Sequence, residues 1–209
     1  MTLQRIFVAN RGEIAVRIIR AAHGLGIETV LGCSAADRES LAADMATRCL
    51  VLGPAQANKS YLDPELVVHA ALYSGCDGLH PGYGFLSERA GLARLCEDNG
   101  IDFVGPRAET IEQLGDKLRA RALAQRNNVP LVPGTSVMDN AEDAAEAADE
   151  LGYPVVMKAS AGGGGRGMYK ARNSKEVRDA FGLASQEALS AFGDGTLYLE
   201  RFIETARHI

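Results

Sequence analysis

The sequence predicts an α/β protein in two parts: a doubly wound, parallel-sheet domain, followed by a pair of helices and a small α/β layer. Three observations carry the prediction. As far as Gly105-Pro106, five short apolar runs alternate with stretches of helical period, the pattern of successive β-α-β units with right-handed crossovers. Beyond that point come helices with alanine faces, and two apolar strands flanking Gly162-Gly163-Gly164-Gly165. A chain of 209 residues with 46% apolar content is also long enough to bury a core of this size. The expected division is 1–112 for the first domain and 113–209 for the second, with linker helices over about 113–130 and a glycine-rich layer over about 131–203.

In order, Arg5 to Ala9 is a strand, and Asn10-Arg11-Gly12 turns into a helix with Ile14, Ile18, Ile19, Ala22 and Leu25 on one face. Glu13, Arg17 and Arg20 mark its polar side, and Gly24 and Gly26 stop it. Glu28 to Leu31 is the second strand, residues 34–40 form a loop into a helix start, and Cys49 to Leu52 is the third strand. Asp63 before Pro64 is a strong helix start, and Leu66, Val67, Ala70, Ala71 and Tyr73 supply the buried side. Cys76 to His80 is the fourth strand, Leu92, Leu95 and Cys96 mark a helix, and Ile101 to Val104 is the fifth strand.

Ala108 to Leu114 is helical; Gly115 breaks it, and Asp116-Lys117 restarts a helix to about Arg126. Val129 to Gly134 is an extended connector. Asn140 caps a helix lined by Ala144, Ala148 and Leu151, which Gly152 ends. Asn173 and Glu176 form a capping box for a helix carrying Val177, Phe181, Ala184 and Ala188, and Thr196 to Phe202 is the last strand.

A net charge of −5 and a pI near 5.4 leave no electrostatic basis for nucleic-acid or anionic-membrane binding. Cys33, Cys49, Cys76 and Cys96 are widely separated and suit neither a zinc site nor a disulfide framework, so reduced thiols are expected. The N-terminus lacks the features of a signal peptide, and no apolar run approaches 18 residues. A cytoplasmic protein is expected, with an organellar precursor that has lost its transit peptide left open.

The chemistry concentrates in Tyr153 to Met168, Y-P-V-V-M-K-A-S-A-G-G-G-G-R-G-M. Four consecutive glycines lose the most entropy on ordering, so a fold retains them where backbone must approach a ligand closely or adopt positive φ. Their amides make an anion cradle, with Lys158 before it and Arg166 after it. A flexible turn is the plainer alternative, but it predicts polar flanks, and these flanks are apolar strands. The P-loop places its lysine after the glycines, and the dinucleotide fingerprint opens a helix; neither fits. A hairpin that folds over a phosphate does.

A second stretch is His80 to Glu88, H-P-G-Y-G-F-L-S-E, which sets His80, Tyr83 and Glu88 around Gly82 and Gly84 at a strand exit, where parallel α/β sheets bind ligands. A Pro-Gly turn with a tucked aromatic is the alternative. Lys117 in a first helical turn adds to the positive end of the helix dipole, which suits a bound anion; from the residues alone, a solvated lysine is the better reading.

Three blocks, A-N-R-G-E-I-A from Ala9, H-P-G-Y-G-F-L-S-E from His80 and K-A-S-x-G-G-G-G-R-G-M from Lys158, together resemble the biotin carboxylase component of biotin-dependent carboxylases, an ATP-grasp family, in order and spacing over essentially the whole chain. The resemblance implies a pre-ATP-grasp first domain and an ATP-grasp lid. It implies that Lys117, Lys158, Gly163, Gly164, Gly165, Arg166 and Gly167 hold ATP phosphates, that Met168 also contacts ATP, that Glu200 faces the adenine amine, and that backbone near Arg201 and Ile203 completes the adenine contacts. His208 matches a histidine near the nucleotide. His80, Gly82, Tyr83 and Gly84 fall at the biotin end. Glu200-Arg201-Phe202 stands where the family more often shows Glu-Lys-Tyr, which puts any role of that lysine or phenol in doubt.

The implied reaction is ATP-driven activation of bicarbonate followed by carboxylation of biotin on a separate carrier, with a carboxyltransferase as further partner and a homodimer through the first domain. The family's magnesium carboxylates would follow Ile209, so no catalytic residue or metal ligand is assigned, and the chain alone is expected to be a fragment that does not turn over. Carbamoyl-phosphate synthetase, which also activates bicarbonate, and a short non-catalytic nucleotide- or subunit-binding module are the alternatives.

Overall fold

A computed structural model gives the structure of residues 3–160 and 168–207. The chain divides into two compact units, Met1–Gly115 and Asp116–Ile209.

In the first unit, β1 (Arg5–Val8), β2 (Glu28–Ser34), β3 (Arg48–Gly53), β4 (Gly78–His80) and β5 (Asp102–Phe103) form one all-parallel sheet in the order β3-β2-β1-β4-β5. Between them run α1 (Gly12–Gly24), α2 (Leu41–Met45), α3 (Pro64–Tyr73) and α4 (Ala90–Asp98), with α5 (Ala108–Gly115) following. Strand alternation sends Ile6 and Val8 into a core with Ile18, Ile19 and Ala42, while Phe7 and Ala9 pack with Val67, Ala71 and Leu92. Helices thus cover both sheet faces, the doubly wound arrangement expected.

Several helix and strand limits differ from expectation for identifiable reasons. β2 runs to Ser34 because Gly32 and Cys33 pair with Leu50 and Val51, and Gly32 leaves room for Phe7, whose ring would lie 2.5 Å from an added Cβ. Leu25 and Tyr73, both placed by periodicity on buried faces, are 77% exposed, because each lies at or past the end of its helix, beyond the sheet that the helix covers. Asp63 caps α3 as expected, its Oδ1 accepting from the Leu66 N–H at 2.9 Å. The parallel pairing of β2 with β3 also brings Cys33 and Cys49, distant in sequence, to an Sγ–Sγ separation of 3.0 Å. Burial, then the bond to Cys49, pushes the Cys33 thiol up to about 12.

The second unit contains α6 (Lys117–Arg126), β6 (Gly134–Met138), α7 (Ala141–Leu151), β7 (Val155–Ala159), β8 (Met168–Ala171), α8 (Ser174–Phe192) and β9 (Leu197–Arg201). Its sheet is antiparallel, in the order β6-β9-β7-β8. Val155, Met157, Ala159, Leu197 and Leu199 point to one side and pack on α7 and α8 through Ala144, Ala148, Val177, Phe181, Ala184 and Ala188. Asn140 and Asn173 cap those helices, accepting at 2.9 Å from the amides of Asp143 and Glu176. β6 is a strand where only a connector into a helix was expected. Its residues, G-T-S-V-M, mix polar and apolar and are mostly half-buried, as suits an edge strand.

Candidate functional site

Two places gather the residues singled out by sequence, one in each unit. In the first unit the chain builds outward from β1 to β3, then returns to lay β4 on the other side of β1, so the topological switch point lies at the carboxyl ends of β1 and β4. Asn10 leaves β1 there, and His80 to Gly84 leave β4. The Ala9 N–H donates to His80 O at 3.0 Å, and the buried Asn10 amide donates from Nδ2 to Pro81 O at 2.7 Å and to Tyr83 O at 2.8 Å.

One side chain therefore clamps both ends of the turn. Gly82, at φ +68°, lies so close that an added Cβ would sit 2.6 Å from Asn10 Nδ2. Its N–H donates to His80 Nδ1 at 3.0 Å, which requires that nitrogen to be unprotonated, and burial pushes the imidazole below its ordinary range, in agreement.

The exposed Tyr83 donates its hydroxyl to Glu13, in the first turn of α1. That bond, with the Glu13 charge, raises the phenol's pKa. The carboxylate that Tyr83 of this loop meets is thus Glu13 of α1, while Glu88, within the loop, is exposed. A groove of about 1140 Å³ starts here and follows α1 past Arg17 and Arg20 to Ser40 and Leu41. Next to the loop, Phe85 stacks on Tyr61 with ring centroids 5.1 Å apart, and Arg11 lies over both rings. Tyr61 donates to Asp37 Oδ2 at 2.6 Å and accepts from the Ser34 N–H at 2.9 Å. Burial would raise the Asp37 pKa, but hydrogen bonds from Tyr61 and Ser34, with the Arg11 charge, outweigh it and hold the carboxyl low; burial and the same bond push Tyr61 up to about 12.

In the second unit the sheet face turned away from α7 and α8 carries two cross-strand rows. One runs Met168, Lys158, Tyr198, Val137; the next runs Lys170, Val156, Glu200, Gly134. Lys158 and Glu200, far apart in sequence, meet diagonally, with Lys158 Nζ 2.5 Å from Glu200 Oε2. Glu200 Oε1 accepts from Arg121 Nη1 at 2.8 Å, and Arg121 Nη2 donates to Val132 O at 3.0 Å. Burial first, then the Glu200 charge, raises the pKa of Tyr198 in the adjoining row.

Arg201 alternates to the opposite side, and its N–H is engaged by Pro133 O at 2.8 Å; among the described residues the Ile203 N–H donates to no partner. Lys170 sits 3.8 Å from the centre of the Phe202 ring. The stem of the glycine hairpin is tied where Ser160 Oγ meets Thr196 Oγ1 at 2.6 Å and donates to Asp194 at 3.0 Å, bonds that, with the Thr196 donors first, lower the Asp194 pKa.

Lys117 is the exposed first residue of α6, and Asp116 caps that helix by accepting from the Arg119 N–H at 2.9 Å. The carboxylate beside Lys117 thus already answers the helix charge. Gly163, Gly164, Gly165, Arg166, Gly167 and His208 lie outside the described residues. Among the described residues, no group of three or more His, Cys, Asp or Glu side chains is placed to hold a metal ion, and no helix is long and apolar enough to cross a membrane. Sequence reasoning missed Asn10, Glu13 and Arg121 as members of these sites. Asn10 and Glu13 belong to a motif block, A-N-R-G-E-I-A, whose side chains carried no separate signal, and Arg121 lies on a helix whose polar face reads as solvated.

Residues 2–111 match the family model for the biotin carboxylase N-terminal domain, and residues 116–209 match that for the ATP binding domain of the carbamoyl-phosphate synthase L chain. Biotin carboxylase 1 of Bacillus subtilis is 45% identical over 208 residues, 99% of this chain and 46% of that protein. The biotin carboxylase domain dimer of Hydrogenobacter thermophilus 2-oxoglutarate carboxylase, in complex with MgADP, ADP and bicarbonate, superposes with a TM-score of 0.86 at 44% identity, over 98% of this chain and 45% of that one. A biotin carboxylase–β-γ-ATP complex from Campylobacter jejuni gives a TM-score of 0.88 at 40% identity, over 97% of this chain and 46% of that one. The chain thus spans about half the length of the relatives it matches. With a family model over the first unit and likeness along almost its whole length, the chain belongs to the biotin carboxylase family.

Proposed function

We propose that this chain is the N-terminal, ATP-holding part of a biotin carboxylase, which uses ATP and bicarbonate to carboxylate biotin on a carrier. The observation that carries the reading is the sheet face turned away from α7 and α8, on which Lys158 and Glu200 stand together, in a chain similar to nucleotide-bound biotin carboxylases over nearly its full length. The face fits a nucleotide. Lys158 offers a phosphate its ammonium at the mouth of the glycine hairpin, with Lys117, Gly163, Gly164, Gly165, Arg166 and Gly167 as further phosphate contacts and Met168 as a further ATP contact. Glu200 offers an acceptor to the adenine amine, and the Ile203 N–H a donor to a ring nitrogen. Arg201 contributes backbone alone, and the resemblance assigns His208 to the nucleotide as well.

ATP supplies the phosphoryl group that activates bicarbonate. The described residues gather no ligand set for magnesium, and none of them is given a part in holding it. The switch-point loop, His80, Gly82, Tyr83 and Gly84, lies at the biotin end, held by Asn10 so that Tyr83 is presented outward. Partners of this reading are a biotin carrier, a carboxyltransferase and a second copy of the chain.

The test is ATP hydrolysis by the native polypeptide that carries this sequence, with bicarbonate and with or without free biotin. Stimulation by biotin, lost in Lys158→Ala, is expected. Hydrolysis indifferent to biotin but stimulated by ammonia would overturn the reading in favour of a carbamoyl-phosphate synthetase.

A further inference from the structure

Glu200 stands between two cations, and only one of them is on the sheet. Lys158 reaches its Oε2 from β7, whereas Arg121 reaches its Oε1 from α6 and uses its second terminal nitrogen to hold Val132 O in the connector before β6. The route is kept open by Gly134, where an added Cβ would lie 2.9 Å from Arg121 Nη2 and 2.6 Å from Leu199 O. The guanidinium fork therefore fixes Glu200 relative to the connector while leaving the Lys158 side of the carboxylate unblocked.

We infer that Arg121 is a positioning residue for ATP: by remaining on Glu200 Oε1 it lets Lys158 leave Glu200 for the phosphates without stranding a half-buried carboxylate. The inference rests on the nucleotide reading above. Its physical basis is a competition. The Glu200 side chain is 15% exposed, and removing the sole partner of such a charge is far costlier than removing one of two. Were Lys158 that sole partner, a triphosphate would have to pull it from Glu200 against this cost. With Arg121 present, the carboxylate keeps one cation throughout, stays in place for the adenine amine, and the lysine is free to respond to the more highly charged ligand. A lysine at 121 would preserve charge but could not hold Glu200 and Val132 O together in one planar fork, so Arg121→Lys should fall between wild type and Arg121→Gln.

A merely structural brace between α6 and β9 would weaken every nucleoside ligand alike. The deciding comparison is thus the binding of ATP and of adenosine, by calorimetry, to the native polypeptide carrying this sequence and to its Arg121→Gln and Arg121→Lys variants. Arg121→Gln is expected to weaken ATP by roughly tenfold or more and adenosine by only about two- to threefold. In a Lys158→Ala background that extra loss for ATP should vanish, because no lysine is left to be released. Equal losses for ATP and adenosine, or an extra loss that persists without Lys158, would overturn the inference while leaving the nucleotide reading intact. Absence of ATP binding by the wild type would overturn both.

Discussion

The parallel sheet of the first unit is wrapped by helices on both faces, whereas the antiparallel sheet of the second has its apolar core, built with α7 and α8, on one. With both faces filled by Ile6, Phe7, Val8 and their neighbours, the first sheet has only its strand ends to offer a ligand, and the polar network of Asn10, His80 and Tyr83 lies there. The face of the second sheet turned away from its helices has room for charge, and Lys158, Glu200 and Lys170 stand there beside Val156 and Tyr198. How a sheet is covered thus decides where chemistry can be built on it.

That contrast predicts unequal costs of truncation. Leu79→Ala, in the doubly covered sheet, should cost about 4 kcal/mol in urea unfolding, while Val156→Ala, a smaller side chain buried beside the charges of the face turned away from α7 and α8, should cost about 2 kcal/mol. Equal costs would mean that the second face is as well packed as the first. Gly82→Ala comes next, at about 2 kcal/mol, since the added Cβ meets Asn10 at a positive φ. Gly84→Ala, where nothing lies within 4 Å, should lose only the backbone part, about 1 kcal/mol; equal losses would show that the Asn10 clamp yields.

Helix caps should ignore the contrast altogether. Asp63→Ala in the first unit and Asn173→Ala in the second should each cost about 1 kcal/mol by the same measurement. The smallest effect is with pH. The folded-state pKa of His80 is depressed, so folding favours its neutral form; that stability is full above the ordinary imidazole value of about 6.5 and is lost as pH falls through the folded value. Amide exchange at Gly82 should rise over that window relative to amides of β7. Asp37 and Asp194, both held low, give stability in each unit that is full above about pH 4, the ordinary aspartate value, and is lost progressively as pH falls from there through their folded values.

Much of the first unit was legible because its elements are local. Asp63-Pro64 announces α3, and five apolar runs announce five strands. In the second unit the caps at Asn140 and Asn173 and the alanine faces were equally plain. What stayed hidden depends on distance along the chain. The bond from Arg121 to Glu200 spans 79 residues, and that from Asn10 to Tyr83 spans 73, so no periodicity can encode them. β6 escaped because its apolar residues, Val137 and Met138, are adjacent and do not alternate, and an edge strand needs no such alternation, only a neighbour. Leu25 and Tyr73 mislead for the opposite reason: a helical period does not say where the surface it faces comes to an end.

The position of β9 has a further consequence for synthesis. Although last in sequence, it lies inside its sheet, between β6 and β7, which share no hydrogen bonds with each other. As a ribosome delivers the chain, β7 can pair with β8 at once, but β6 must wait until α8 and then β9 have emerged. Translation that pauses within α8 therefore leaves an unpaired strand and the apolar side of a half-built sheet open to chaperones or to a neighbouring nascent chain. The first unit, whose third to fifth strands each add to an existing edge, meets no such delay.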